Sequence, residues 1–296
     1  GSYALDANTT GYDNCAFGNN ALGSNTGNEN TAFGFEALKT VASGGQNTAI
    51  GKQALYSNTS GYNIAVGYQT LYANTTGSYN TAIGFKAAQY NTSAASITAV
   101  GSEALRRNTS GEANVGIGAY ALQMNTTSSN NVGVGQQSLS NNTGHSNAAL
   151  GHQSGMDIST GDKNVCLGYQ AGNSGTNDIT TGDNNILIGY QAAASSATVS
   201  NEITLGDTNI SKFRIPAFSF EVTGTDIRHP GKLYIARTSS LHGGVFCLDY
   251  TNGVTAGMTI KDTQTSGTGV VLHISNGSGT VVGSISQNQS NVTYGG

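Results

Sequence analysis

Asn47-Thr48-Ala49-Ile50-Gly51-Lys52-Gln53-Ala54-Leu55-Tyr56-Ser57-Asn58-Thr59-Ser60-Gly61 is one unit of a repeat that runs through the first two thirds of the chain, and its reading decides the fold. A close relative, Asn80-Thr81-Ala82-Ile83-Gly84-Phe85-Lys86-Ala87-Ala88, follows downstream, and the shared pattern is N-T-A-(I/V/F)-G-x-x-A-L-x-x-N-T-(S/T)-G. Its central glycine recurs at Gly18, Gly34, Gly51, Gly67, Gly84, Gly101, Gly118, Gly135, Gly151, Gly168, Gly189 and Gly206, at gaps of 16 or 17 residues with one gap of 21. A period this short marks stacked coils and not an ordinary globular core.

Each unit holds two apolar patches. Ile50, Val66, Ile83, Val100, Ile117 and Val134 precede the glycine, while Leu38, Leu55, Leu71, Leu105, Leu122 and Leu139 follow it. One unit cannot bury both by itself, so both patches are expected to line an interior shared between neighbours. Alternating small and branched residues before the glycine predict a short strand. The stretch after it is compatible with a second strand or a helical turn, and the Asn-Thr-(Ser/Thr)-Gly segment is turn chemistry. The expected fold is all-β: a parallel β-solenoid or β-roll over residues 1–206, with the twelve intervals from Gly1, itself in register, to Gly206, at about 4.8 Å each, giving a rod on the order of 60 Å long. The recurrent glycine is expected either for its backbone angle or because Ala or Ile of a neighbouring coil, or of a neighbouring chain, packs against its Cα. The 21-residue gap places one enlarged loop at about Gly172 to Thr181. Gly1 to Gly11 matches the second half of a unit, which leads us to expect that the natural protein extends further toward its N-terminus.

Composition narrows the function classes. Of 296 residues, 42 are Gly, 2 are Pro, none is Trp and 9% are charged, far below the usual charged fraction of roughly 25%. Disorder would not hold Ala, Ile and Leu in phase through a dozen cycles. The net charge of -4 with only 12 Lys and Arg argues against a nucleic-acid partner, and no apolar run reaches the roughly 18 residues of a membrane span. Three distant cysteines do not make a disulfide framework. Cys15, where other units have Thr31 or Thr48, and Cys166, where they have Ala49 or Ala82, read as small fillers.

No catalytic or cofactor set emerges. Gly116-Ile117-Gly118 and Gly133-Val134-Gly135 imitate a dinucleotide loop but lack its third glycine, and the period explains them. The five histidines form no metal-ligand spacing, and no pair of carboxylates is brought together as glycoside hydrolysis requires. Asp162 and Asp183, in matching T-G-D-x-N corners, offer oxygens to calcium, though turn formation accounts for them without metal. Tyrosines recur around the unit, at Tyr12 and Tyr62 in the turn, at Tyr68, Tyr169 and Tyr190 past the glycine, and at Tyr56 and Tyr72 after the Leu. Their rings suit stacking on sugars or on another fibre, and equally the covering of coil edges. Tyr56, Tyr72, Tyr234 and Tyr250 are the candidate surface contacts.

The N-T-A-I-G pattern resembles the head repeats of YadA-like trimeric adhesins, which coil into a left-handed parallel β-roll with three associated chains. The longer unit with A-L-x-x-N-T-T-G is similar to repeats of tailed-phage fibre proteins. Asn201 to Pro216 resembles the segment that closes such repeats in fibres carrying a C-terminal endosialidase-type intramolecular chaperone, and Gly283 to Gly296 resembles the stretch just before that chaperone. The chaperone itself is absent from this sequence, so none of its catalytic residues can be assigned. The resemblance implies a homotrimeric, extracellular or virion-borne structural fibre that attaches to a glycan or protein receptor on a host surface and contacts other fibre or virion components. It implies no enzyme and no cofactor, with Gly296 near a processing point. The alternatives are a bacterial trimeric adhesin or surface filament and, less in keeping with the residues, a glycan-degrading tailspike. The organisation expected is a repeat shaft over 1–206, a closing segment over 207–216 and an aperiodic β-rich module over 217–296. That module carries short alternating runs at Lys232–Ala236, Gly244–Leu248, Met258–Lys261, Val270–Ile274 and Val281–Ile285, is expected to interdigitate between three chains, and is where binding is expected.

Overall fold

The computed structural model describes residues 1–40, 43–175 and 177–211, together with the backbone of three strands near the C-terminus. It divides into Gly1–Ala217 and Phe218–Gly296. Twelve three-residue strands make up the first unit: β1 (Cys15–Phe17), β2 (Thr31–Phe33), β3 (Thr48–Ile50), β4 (Ile64–Val66), β5 (Thr81–Ile83), β6 (Thr98–Val100), β7 (Val115–Ile117), β8 (Val132–Val134), β9 (Ala148–Leu150), β10 (Val165–Leu167), β11 (Ile186–Ile188) and β12 (Ile203–Leu205). They pair in chain order as one parallel 12-stranded sheet, with equivalent residues side by side, as in Ala49↔Ala65 and Ile50↔Val66. The fold is therefore the all-β parallel solenoid that the period predicts. In the second unit, β13 (Thr268–Ser275), β14 (Val281–Asn288) and β15 (Asn291–Gly295) form an antiparallel sheet. The runs at 232–236, 244–248 and 258–261, Tyr234, Tyr250 and Gly296 lie outside the described residues.

The motif glycine closes the corner after each strand, where the backbone angle requires it and the next coil approaches too closely for a Cβ. Gly84 has φ of 134°, and a Cβ placed on it would lie 2.4 Å from the carbonyl oxygen of Gly101. The obstacle is the next glycine's own backbone, not an Ala or Ile side chain.

Beyond the corner the chain forms neither a strand nor a helix. Two residues of nearly every unit sit in the left-handed region, as Gln53 (φ 58°) and Leu55 (φ 52°) do. Coils remain bonded there, through Leu55 N–H to Thr70 O at 3.0 Å and Ser57 N–H to Tyr72 O at 3.1 Å. A left-handed Leu costs roughly 1–2 kcal/mol. The complete burial of Leu22, Leu38, Leu55, Leu71, Leu105, Leu122 and Leu139 offsets that cost.

The interior is thin. In the third unit it consists of Ala49 from the strand, Ala54 and Leu55 from the corner, and the amides of Asn47 and Asn58, all buried. Asn47 serves two neighbours: its Oδ1 accepts the Asn63 N–H at 3.0 Å and its Nδ2 donates to Ser60 O at 2.9 Å. The same pair of bonds recurs at Asn63, Asn131, Asn147, Asn164 and Asn185. A second buried column passes Nδ2–H bonds from Asn125 through Asn108 and Asn91 to Asn74 and Asn58. It breaks after Asn125, whose Oδ1 is buried without a partner.

In two coils that lose the Leu, bulk returns elsewhere. Gly155 and Gly172 occupy the Leu position of their coils, and Ile158 and Ile179, both fully buried, replace the Asn that follows. A Cβ on Gly155 would come within 3.1 Å of Ile158 Cδ1, so the isoleucine fills the vacated space. The enlarged loop leaves the ladder after Gly172 and returns at Ile179, whose N–H donates to Gly172 O at 3.2 Å.

Two substitutions test this packing by thermal melts followed by circular dichroism. Gly84→Val should cost at least about 3 kcal/mol, because strain at φ and contact with Gly101 add, and an unchanged melting temperature would refute the glycine contact. Ile158→Ala should cost about 2–5 kcal/mol by opening a cavity over Gly155.

Candidate functional site

Strand alternation decides which side chains are presented outward. In β3, Ala49 points inward and is fully buried, while Thr48 and Ile50 flank it on the other face, and Ile50 is 41% exposed. The residues just before the glycine therefore face outward, contrary to the expectation from sequence that they line the interior. They form an outward column: Phe17, Phe33, Ile50, Ile83, Ile117, Leu150, Leu167, Ile188 and Leu205 are exposed, and Val66, Val100 and Val134 are half-buried. A three-residue strand can turn only one of its residues inward, and the coil is narrow enough that this residue is Ala, Gly or Cys in all strands but the last two, which carry Leu187 and Thr204. The neighbouring outward column starts at Cys15, is mostly threonine at first, with Thr31, Thr48, Thr81 and Thr98 interrupted by Ile64, and is aliphatic throughout from β7 onward, at Val115, Val132, Ala148, Val165, Ile186 and Ile203. The apolar face thus widens along the rod.

Aromatic columns flank it. Tyr68 stacks on Phe85 with ring centroids 5.5 Å apart, and His152, Tyr169 and Tyr190 form a three-ring stack at 5.3 Å per step. Phe17 and Phe33 stack at 4.7 Å. The expected contacts Tyr56 and Tyr72 do pair, at 5.0 Å, but both are half-buried, and the Tyr56 hydroxyl accepts a hydrogen bond from Lys39 Nζ at 3.2 Å. Through Lys39, which also donates to Glu36, Tyr56 joins a polar network that runs from Glu36 through Gln53, Gln69 and Gln89 to Arg106 and Glu103. The Lys39 ammonium, with Gln53 beside it, holds the Glu36 carboxyl below its usual pKa. The more exposed pair is Tyr62 and Tyr79, stacked at 4.9 Å on the turn that leads into the strand. Tyr79 was not singled out from the sequence, although it stands one period after Tyr62.

The other candidates resolve into local structure. Asp162 Oδ1 accepts the His145 N–H at 2.6 Å and Asp183 Oδ1 accepts the Asp162 N–H at 2.8 Å, so each carboxylate ties its coil to the one before. Among the described residues no group of three or more His, Cys, Asp or Glu side chains gathers as a metal site. Gly116 and Gly133 lie on the inner face of their strands, where a Cβ would come within 3.1 Å of Leu105 Cγ and 3.3 Å of Leu122 Cγ. They make room for leucine and do not shape a phosphate loop. Glu202 stands where earlier coils have the interior Asn. Burial pushes its carboxyl pKa up, but bonds from the Ser195 hydroxyl and amide and from the Thr204 hydroxyl outweigh that and leave it below the ordinary value. No helix among the described residues is long and apolar enough to cross a membrane.

Cys15 and Cys166 part company. Cys166 is buried as a filler, whereas Cys15 is exposed in the outward column and fills nothing. Compared with family models, with curated proteins and with solved structures, the chain matches none, so the functional reading rests on its own geometry.

Burial pushes the Cys166 thiol up to about 12, so it stays protonated throughout the neutral and mildly alkaline range. Iodoacetamide at pH 8 should leave Cys166 unmodified in the native protein and label it once the chain is unfolded, as read by peptide mass. Labelling of native Cys166 would contradict the packing of this coil.

Proposed function

We propose that the chain is the shaft and distal part of a homotrimeric extracellular fibre, a phage or phage-like tail fibre whose work is reach and attachment to a host surface. The observation that carries this reading is the apolar column along the whole sheet, Phe17 and Phe33 at one end and Ile188 and Leu205 at the other, exposed on a single chain. Eleven strand spacings of about 4.8 Å make it roughly 50 Å long. A continuous apolar surface of that length on a chain with so few charges marks an interaction face. Its partner is a further copy of the same chain. Closed symmetry about an axis parallel to the rod covers the same narrow face on every copy at once, and three is the copy number that the resemblance implies.

The coil construction suits a fibre. Each unit contacts only its neighbours, so length is gained by adding units without redesigning a core. Nothing in this reading requires catalysis; the rod sets distance and the assembled surface makes the contact.

Light scattering coupled to size exclusion should give three times the 30.1 kDa chain. Ile83→Lys combined with Ile117→Lys should dissociate the assembly and leave the coil's circular dichroism in place, since both side chains face outward. A wild-type protein of one chain mass would sink the trimer.

A further inference from the structure

The turn leading into each strand forms a second continuous edge of the rod, polar where the sheet face is apolar. One residue per coil there holds positive φ: Glu29 (59°), Gln46 (60°), Tyr62 (63°) and Tyr79 (61°) in the early coils, Lys163 (58°), Asn184 (56°) and Asn201 (63°) in the late ones. Asn suits this conformation, and a bulky ring is an outlier in it. Tyr62 and Tyr79 are nevertheless placed here, 53% and 61% exposed, with rings stacked at 4.9 Å and only 9° from parallel. Backbone geometry alone favours Asn or Gly at both positions, so the rings require another cause.

Beside the pair lies a cavity of about 190 Å3 lined by Asn28, Glu29, Ser43, Gly45, Gln46 and Tyr62. Tyr62 gives one face to Tyr79, and the column order puts Gln46 on the opposite side. Gln46 Nε2 donates to Glu29 Oε2 at 2.9 Å, which fixes a carboxylate and an amide next to the ring while leaving each with capacity for further hydrogen bonds. An aromatic face with amide and carboxylate groups at its margin is complementary to a ring that is apolar on its faces and hydroxylated at its rim. The same two columns open a second cavity, of about 450 Å3, further along the edge, between Asp162, Lys163, Asp183, Asn184, Ser200 and Asn201. Two polar cavities on one continuous edge suit a linear, repeating ligand. Charge selects among such ligands: Glu29, Glu112, Asp162 and Asp183 outnumber Lys163 along this edge, which disfavours anionic sugars.

We infer that the turn edge is a binding track for a neutral hexose polysaccharide, with the Tyr62–Tyr79 pair as its stacking platform and Gln46 and Glu29 as its hydroxyl-binding groups. The inference rests on the attachment reading above and names its ligand class; it also moves recognition onto the shaft, away from residues 217–296.

The test uses the full chain, as it assembles, on an array of dextran, mannan and cellulose oligomers beside polysialic acid and heparin, with adsorption to a panel of bacterial cells measured in parallel. The wild type should bind a neutral member. Tyr62→Ala combined with Tyr79→Ala should weaken that binding by roughly tenfold and leave the melting temperature in place, Tyr62→Phe with Tyr79→Phe should retain it, and Gln46→Ala should weaken it. Undiminished binding by the double alanine variant, or binding to the acidic polymers alone, overturns the track. Adsorption to cells with no glycan bound overturns the track and leaves the attachment reading standing; binding to neither overturns both.

Discussion

The backbone of each motif glycine rests against the backbone of the next, from Gly18 on Gly34 through Gly168 on Gly189, with no space for a Cβ between them. Parallel strands cannot lie closer than about 4.8 Å, and this corner brings the chain around without lifting it off that spacing. Every other column follows. Because the corner repeats without drift, Ala stands over Ala, Leu over Leu and Asn over Asn, and a residue's surroundings are mostly copies of itself.

Such a stack gives the interior an unusual division of labour. Alanine and a single leucine per coil bury little apolar area, too little by the usual measure to hold a coil of this length. The remaining interior is amide, and each interior Asn bonds the strand entry of the following coil and a carbonyl across the turn. Individually such bonds contribute on the order of 1 kcal/mol net, but in a dry interior they strengthen one another and leave few groups unpaired. The ladder also has a direction, since each Oδ1 receives from the coil after it. Glu202, an acceptor with no described coil to serve, ends that chain of amides and turns its oxygens to Ser195 and Thr204.

Much of this was legible in the residues. The glycine period specified the coil, the small and branched residues specified the strand, and the long gap located the loop between Gly172 and Ile179. What could not be read was facing. Alternation needs several residues to declare itself, and a strand of three, such as Thr48-Ala49-Ile50, is equally consistent with its largest side chain inside or out. Ile50 looked like core because it is apolar; it lies outside because the coil has room only for Ala49. The exchange of Leu139 for Gly155 and of Asn142 for Ile158 was hidden for a related reason: each reads as a lapse from the pattern, and only their shared interior makes them one compensated change. The site readings fared similarly, for Tyr56 and Tyr79 are the same residue type at different depths, and depth is a property of the stack.

The excursion from Asn173 to Asp178 leaves β10 and β11 paired in register, Val165 beside Ile186 and Leu167 beside Ile188. The ladder on either side takes no notice of it. Such a corner is a natural docking port for foreign sequence: a peptide or a small domain spliced there would be displayed at a fixed height on the rod, and several could be spaced along it as on a ruler.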